Sequence, residues 1–317
     1  MSATVTRDEH ELLHESVGVV DRSDRGKLLL RGSEAAEFLQ GQVTNDVEAL
    51  TPGTGCYAAL LTHKGKIRAD MRILRGEDWL LVDTEPHGLA PLAKTVQTYS
   101  IGRDVQAADV TDDRVILSLI GPKARERLEP APPAAEHSFV EGPHGLYVVT
   151  DLGVDVIATA ETLGPRAAAL GRLAEELAVE PVSLEAAECL RIESGRPRHG
   201  LDVDETTIPQ EAALNERAVS FTKGCYVGQE TVARLHYKGK PNRQLRGLRL
   251  SGPASTGDAV ATSDKAVGAV GSVCVSPLLG PIALAVLRRE AQPGDTVAVG
   301  DDGATAEVVE LPFAAAA

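Results

Sequence analysis

The sequence predicts an α+β body followed by a small all-β module, and three observations carry that reading. Up to about residue 177, short strand patterns and helical patterns follow one another in a mixed order, not the strict alternation of a parallel α/β fold. After Gln244 the chain changes to short apolar segments separated by Gly, Pro and Asp clusters, the pattern of a small barrel. Neither a G-x-G-x-x-G nor a Walker A fingerprint occurs, so a nicotinamide or nucleoside-triphosphate enzyme is not supported.

The elements are justified in order. Residues 1–15 are polar and acidic and are expected to fray. Residues 17–20 and 27–30 read as strands around a polar turn, and Ser33 is placed as the N-cap of a helix that stops near Gly41. Residues 56–62 and 67–74 read as strands joined by the turn His63-Lys64-Gly65-Lys66. In the second of these, Ile67, Ala69, Met71 and Ile73 alternate with Arg68, Asp70, Arg72 and Leu74. Asp70 therefore points with the arginines, away from the apolar face. A strand at 79–82, a helix at 86–99, a strand at 114–120 and a helix from 122 follow. A proline-containing connection at 131–136 leads to a hairpin at 146–150 and 154–158 and an alanine-rich helix at 162–177. The helix at 183–193 carries Val182, Ala186, Cys189 and Glu193 on one stripe. Segments 245–250, 267–275, 282–287, 296–299 and 306–311 build the barrel, with Cys274 expected in its core. The boundary falls at Lys240-Pro241-Asn242, dividing a body at 1–240 from a barrel domain at 241–317.

Composition narrows the function classes. With 317 residues, 43% hydrophobic and 25% charged, the chain is an ordinary soluble type with material for two domains. A formal charge of −14 argues against general nucleic-acid binding. The four cysteines, Cys56, Cys189, Cys225 and Cys274, are widely spaced with no C-x-x-C pair. A structural zinc site, a preformed four-cysteine cluster and any permanently bound metal are therefore not expected. No hydrophobic signal core or membrane-length run is present, so a reducing cytoplasm is the expected compartment and no membrane partner is expected.

The chemistry concentrates in a few places. Lys223-Gly224-Cys225-Tyr226-Val227-Gly228-Gln229-Glu230 sets one cysteine between glycines, ahead of a helical stretch. A helix N-terminus and the Lys223 cation both favour the thiolate, the form that acts as nucleophile or soft ligand. The alternative is a small buried cysteine. Glu193 ends an apolar stripe at a helix C-terminus, where a carboxylate is disfavoured. Either it pairs with Arg191, Arg196 or Arg198, or it binds a ligand that offers N–H donors. Asp202, Asp204 and Glu205 lack an EF-hand pattern and read as a solvated acidic loop. Residues 221–249 hold seven basic side chains, Arg234 among them, against the single acid Glu230. Such a strip steers an anion or is simply a solvated face.

The Lys223–Glu230 segment resembles the K-G-C-[FY]-[IVT]-G-Q-E signature of the YgfZ-type folate-binding proteins, paralogues of the glycine-cleavage T-protein that act in iron–sulfur cluster assembly or repair. Phe38-Leu39-Gln40-Gly41-Gln42-Val43-Thr44-Asn45-Asp46 also looks like that family. So do Arg191-Ile192-Glu193-Ser194-Gly195 and the Gly200–Pro209 segment. The resemblance implies a three-lobed T-protein-like fold, a two-lobed body plus barrel, with tetrahydrofolate in a channel between lobes and Cys225 near its mouth. It implies that Glu193 holds the pterin, and that Arg191, Tyr226, Gln229 and Arg234 complete the cofactor set. Cys225, with Lys223 and Asp70, is then the reacting group, and the partners are folate and iron–sulfur client enzymes. Two alternatives stay open: a folate-dependent aminomethyltransferase or demethylase, and a non-catalytic folate-sensing partner of iron–sulfur enzymes. The transferases usually carry a paired aspartate where this chain keeps only Asp70, and typically an aspartate at the position of Cys225.

Overall fold

The computed structural model describes residues 5–263 and 265–313. Helix α1 (Arg7–Glu15) precedes strands β1 (Gly18–Asp21) and β2 (Gly26–Arg31). Helix α2 (Ala35–Gln40) leads to β3 (Thr54–Leu61), β4 (Ile67–Arg75) and β5 (Trp79–Thr84), then to α3 (Pro86–Tyr99) and β6 (Gln106–Asp109). Strand β7 (Arg114–Ile120) is followed by β8 (Phe139–Gly142), β9 (Gly145–Val149) and β10 (Gly153–Thr159). Helices α4 (Ala160–Leu163) and α5 (Arg166–Leu177), the short strand β11 (Glu180–Pro181) and α6 (Leu184–Glu193) come next. Helices α7 (Asn215–Ala218) and α8 (Gln229–Lys238) close the body.

Two sheets make the body. One has the order β3-β4-β5-β2-β6 and the other β11-β1-β7-β10-β9-β8. The barrel closes as β12 (Arg243–Leu250), β15 (Gly280–Arg288), β14 (Lys265–Ser276), β13 (Ala259–Thr262), β16 (Thr296–Val299) and β17 (Ala304–Val309). Each lobe has its own apolar core. A further cluster joins α1, α6 and barrel strands through Leu13, Ala186, Cys189, Cys274, Ile282 and Leu284. The α+β body and barrel are as the sequence predicts. No helix of the described residues is long and apolar enough to cross a membrane.

Several local expectations are corrected. Of the segment expected to fray, residues 1–4 lie outside the described residues and Arg7–Glu15 is a docked helix: the Thr6 hydroxyl caps it by accepting from the Glu9 N–H, and His10 and Leu13 are buried. The first two strands form where expected but lie in different sheets. Ser33 does not cap α2; its hydroxyl and backbone N–H donate to Asp104. The helix expected from residue 122 is a single 3-10 turn at Arg125–Arg127. The alanine-rich helix is broken at Gly164-Pro165, where the glycine adopts φ 77° and proline lacks the N–H to continue. Strand β13 was not predicted.

The alternation in β4 holds, but its polar face does not meet solvent. Ala69, Met71 and Ile73 enter the core of the first lobe. Asp70 and Arg72 are buried on the other face, where the two sheets meet.

Candidate functional site

A cavity of about 180 Å³ lies between the two sheets and α6. Its walls are charged. Arg72 on β4 donates to Asp83 on β5 at 2.7 Å and to Asp155 on β10 at 2.7 Å. Arg25 donates to Asp83 and Glu85, and Arg198 reaches Glu85 at 2.8 Å. Ser118 on β7 donates to Asp155 at 2.6 Å. Buried ions need partners, and here each cation finds carboxylates from neighbouring strands or loops.

Asp70 differs from this network. Its carboxylate accepts from the Tyr57 hydroxyl at 2.6 Å and, among the described residues, makes no hydrogen bond or ion pair with a guanidinium. Burial pushes its carboxyl above the ordinary aspartate range, helped by Glu85 and opposed by the Tyr57 hydrogen bond, His199 and the more distant charge of Arg25. Asp83 moves the other way: burial would raise it, but Arg72 and Arg25 outweigh that and hold it at about 2. His137 is pushed down to about 4, mainly by burial, so its ring is neutral at pH 7. His137 also adopts φ 66°, a conformation uncommon for a residue with a side chain.

The cavity holds polar atoms that lack protein partners: Arg72 Nη2, His137 Nδ1, His199 Nε2 and Arg217 Nε. A buried donor or acceptor left unpaired costs about 1–3 kcal/mol. Four such atoms on one cavity mark a place shaped for a polar ligand. Arg217 also lies over the Tyr57 ring at 5.4 Å, and Tyr57 stacks with His137. Sequence reading singled out Asp70 and Arg191 as site residues but not the rest of the wall, which comes from segments spread between Arg22 and Arg217.

The cysteine loop is a second construction, tied to the first lobe. Lys223 is buried, and its ammonium donates to the carbonyls of Gln40, Val43 and Asn45. Two sequence segments that attracted notice independently are thus one unit. Tyr226 is buried, with its ring 5.1 Å from the Lys223 ammonium. Burial pushes Lys223 down to about 8 against the pull of Asp46. Gly228, at φ 85°, caps α8, and a Cβ there would stand 2.5 Å from the Thr62 carbonyl. Cys225 is exposed on this loop, four residues ahead of Gln229, the half-buried first residue of α8. It is not among the residues lining the central cavity. The helix begins at Gln229, one residue nearer the cysteine than the sequence suggests, whereas the Lys223 donors are engaged by the three carbonyls.

The residues of the R-I-E-S-G segment separate. Arg191 lines the cavity wall and spends its donors on Glu188, Asp202, Ser272 and the Arg196 carbonyl. Glu193 lies two residues on, about 200° around the helix, and cannot share that face. It accepts from His10 at 2.9 Å and His14 at 3.0 Å instead. It is not among the cavity-lining residues. Burial opposes its ionisation, but hydrogen bonds from Ser276, His10 and His14 hold it below the usual range. Asp202 is not a solvated loop residue either; it is buried and accepts from Arg191, Arg198 and Ser272, fastening α6 to the barrel. Arg234 is exposed and pairs with Glu230, Arg243 with Glu211 and Arg246 with Glu310. Three of the seven basic side chains of this stretch thus sit in carboxylate pairs.

Known proteins match the whole chain. Residues 2–144 match the family model of the GCVT N-terminal domain, and residues 243–314 match that of the glycine cleavage T-protein C-terminal barrel domain. The aminomethyltransferase of Rubrobacter xylanophilus is 30% identical over 96% of this chain and 85% of its own length. That of Thermotoga maritima is 29% identical over 96% of this chain and 88% of its own. The crystal structure of glycine cleavage system aminomethyltransferase T from Bartonella henselae superposes with a TM-score of 0.83, covering 97% of this chain and 89% of that one at 24% identity.

Proposed function

Because the chain belongs to the glycine-cleavage T-protein family, we propose that it is a tetrahydrofolate-binding factor for the assembly or repair of iron–sulfur clusters in client enzymes. The observation that carries this reading is the exposed Cys225 on a loop fixed by a fully engaged buried lysine. One-carbon transfer from an amine has no evident need for a thiol held this way. A single cysteine cannot hold a cluster, which generally takes four thiolates. Cys225 therefore acts transiently, as one ligand, a sulfur acceptor or a redox thiol.

In this proposal the pterin binds in the central cavity. A reduced pterin offers N–H donors and ring acceptors together. Asp70 and His137 Nδ1 are suited to the first, and Arg72 Nη2 and Arg217 Nε to the second. Asp70, buried beside Tyr57, can also hold or accept a proton at a ring nitrogen. Glu193 takes no pterin contact in this proposal; its place is behind α6.

A second reading, folate-dependent aminomethyl transfer, is favoured by one observation: Asp70 is a buried carboxyl with a raised proton affinity, as a general base requires. Gene deletion separates the two. Loss of a [4Fe–4S] enzyme activity, restored by the wild type but not by Cys225→Ser, supports cluster maintenance. Loss of glycine cleavage, restored equally by Cys225→Ser, overturns it in favour of transfer.

A further inference from the structure

Helix α1 sets His10 and His14 one turn apart, so both rings leave the same face. That face packs on α6, and the two Nε2 atoms meet the two oxygens of Glu193, one each, at 2.9 and 3.0 Å. The three ligand atoms all lie within 4.8 Å of one another. We propose that His10, His14 and Glu193 form a binding site for a divalent transition metal of the zinc class, which clasps α1 onto α6.

The donor set is the two-imidazole, one-carboxylate combination that suits a borderline cation such as Zn²⁺. Ligands about 2.0–2.1 Å from a tetrahedral zinc are about 3.3–3.4 Å apart; the two imidazole–carboxylate contacts, at 2.9 and 3.0 Å, are a few tenths of an ångström short of that, and all ligand atoms lie within 4.8 Å. Charge argues the same way. Glu193 is a buried carboxylate at the C-terminal end of a helix, where the backbone dipole is already negative. The two rings, with centroids 4.3 Å apart, would flank a dication that answers the carboxylate. His10 is buried, and the His14 side chain is 37% exposed, which leaves an entry path and room for a water as fourth ligand.

The neighbours define the site's limits. Cys189 donates to Glu193 at 3.6 Å, and its sulfur lies 3.3 Å from that of Cys274. Glu11, within the sequence His10-Glu11-Leu12-Leu13-His14, is held in solvent by Arg7 at 2.9 Å. It is not directed at the three ligands as a hydrolytic base would need to be, so the site is a clasp. Its other consequence is positional: the opposite face of α6 carries Ala187 and Arg191 on the central cavity wall. The proposal is independent of what that cavity binds.

The test uses the full chain stripped with a chelator, in a Cys225→Ser background so that the exposed thiol does not compete for metal. Zinc is titrated by calorimetry, melting is followed with and without it, and cobalt is added as a spectroscopic probe. The expected result is one zinc per chain, a higher melting temperature with zinc, and a visible cobalt spectrum lacking a sulfur charge-transfer band. His14→Ala, the mildest change because His14 is the most exposed ligand, should weaken zinc at least about 100-fold and abolish the melting increment. Glu193→Gln should do the same. The proposal is overturned if zinc neither binds at micromolar concentration nor raises the melting temperature. It is equally overturned if His14→Ala and Glu193→Gln, both still melting cooperatively, bind zinc as tightly as their parent.

Discussion

Two ends of the central cavity use aspartate in opposite ways. At one end Asp83 and Asp155 share the Arg72 guanidinium, and Asp83 is further held by Arg25. At the other, Asp70 has a tyrosine hydroxyl and, among the described residues, no ion pair. Both aspartates are buried, on adjacent strands. Burial pushes both carboxyls up, and only at Asp83 do the guanidinium groups overcome it. The difference teaches that the ion pairs build the cavity, while the carboxyl left without one is available to a ligand. Titratable groups pushed apart by their surroundings are the usual mark of divided roles.

The sharpest way to break the comparison is at Arg72. Arg72→Met leaves Asp83 and Asp155 without their shared cation and should cost about 3–5 kcal/mol in urea unfolding. A loss below 1 kcal/mol would show that Arg25 and Ser118 suffice. Acid is the next lever. Asp83 is lowered in the folded state, so its contribution is present above the ordinary aspartate value and is lost as pH falls toward 2. A shift from 3.8 to about 2 corresponds to roughly 2.5 kcal/mol, to be sought as falling stability between about pH 4 and pH 2.

Asp70 should show the reverse. Its raised carboxyl contributes stability at low pH that fades as pH rises through the folded value. Asp70→Asn should therefore melt higher than wild type at neutral pH while binding tetrahydrofolate about 10- to 100-fold more weakly. Equal affinity in the two proteins would remove Asp70 from the ligand site. The smallest effect is expected at Cys225. Cys225→Ser, at an exposed loop position, should change stability by no more than about 0.5 kcal/mol and still fail to restore the cluster enzyme. A large destabilisation would turn the loop cysteine into a packing residue.

Much of the architecture was legible because it rests on local pattern. The β4 alternation located Asp70 and Arg72 on one face, and the punctuated apolar segments after Gln244 marked the barrel. What that face meets could not be read. Asp83, Asp155, His137, His199 and Arg217 converge from segments far apart in sequence, and no short-range pattern records that meeting. The Lys223 motif was conspicuous, yet its lysine serves three carbonyls 180 positions earlier in the chain. Glu193 and Arg191 were grouped because they share a short motif, although helix geometry sets them on different faces. The α1 helix was hidden by its polar composition, even though the Thr6 and Glu9 capping pair was there to be seen.

The caging of Lys223 has a counterpart at Lys27, whose ammonium donates to the carbonyls of Ser23, Arg25 and Thr111 and which burial likewise pushes down to about 8. An amine of that basicity would be among the quickest in the chain to acylate if a reagent could reach it. In the folded protein neither can be reached without parting from its carbonyls. Covalent labelling followed by peptide mass mapping would therefore find these two lysines last. The time at which each is marked would record how often its own part of the molecule opens: the second strand for one, the cysteine loop for the other.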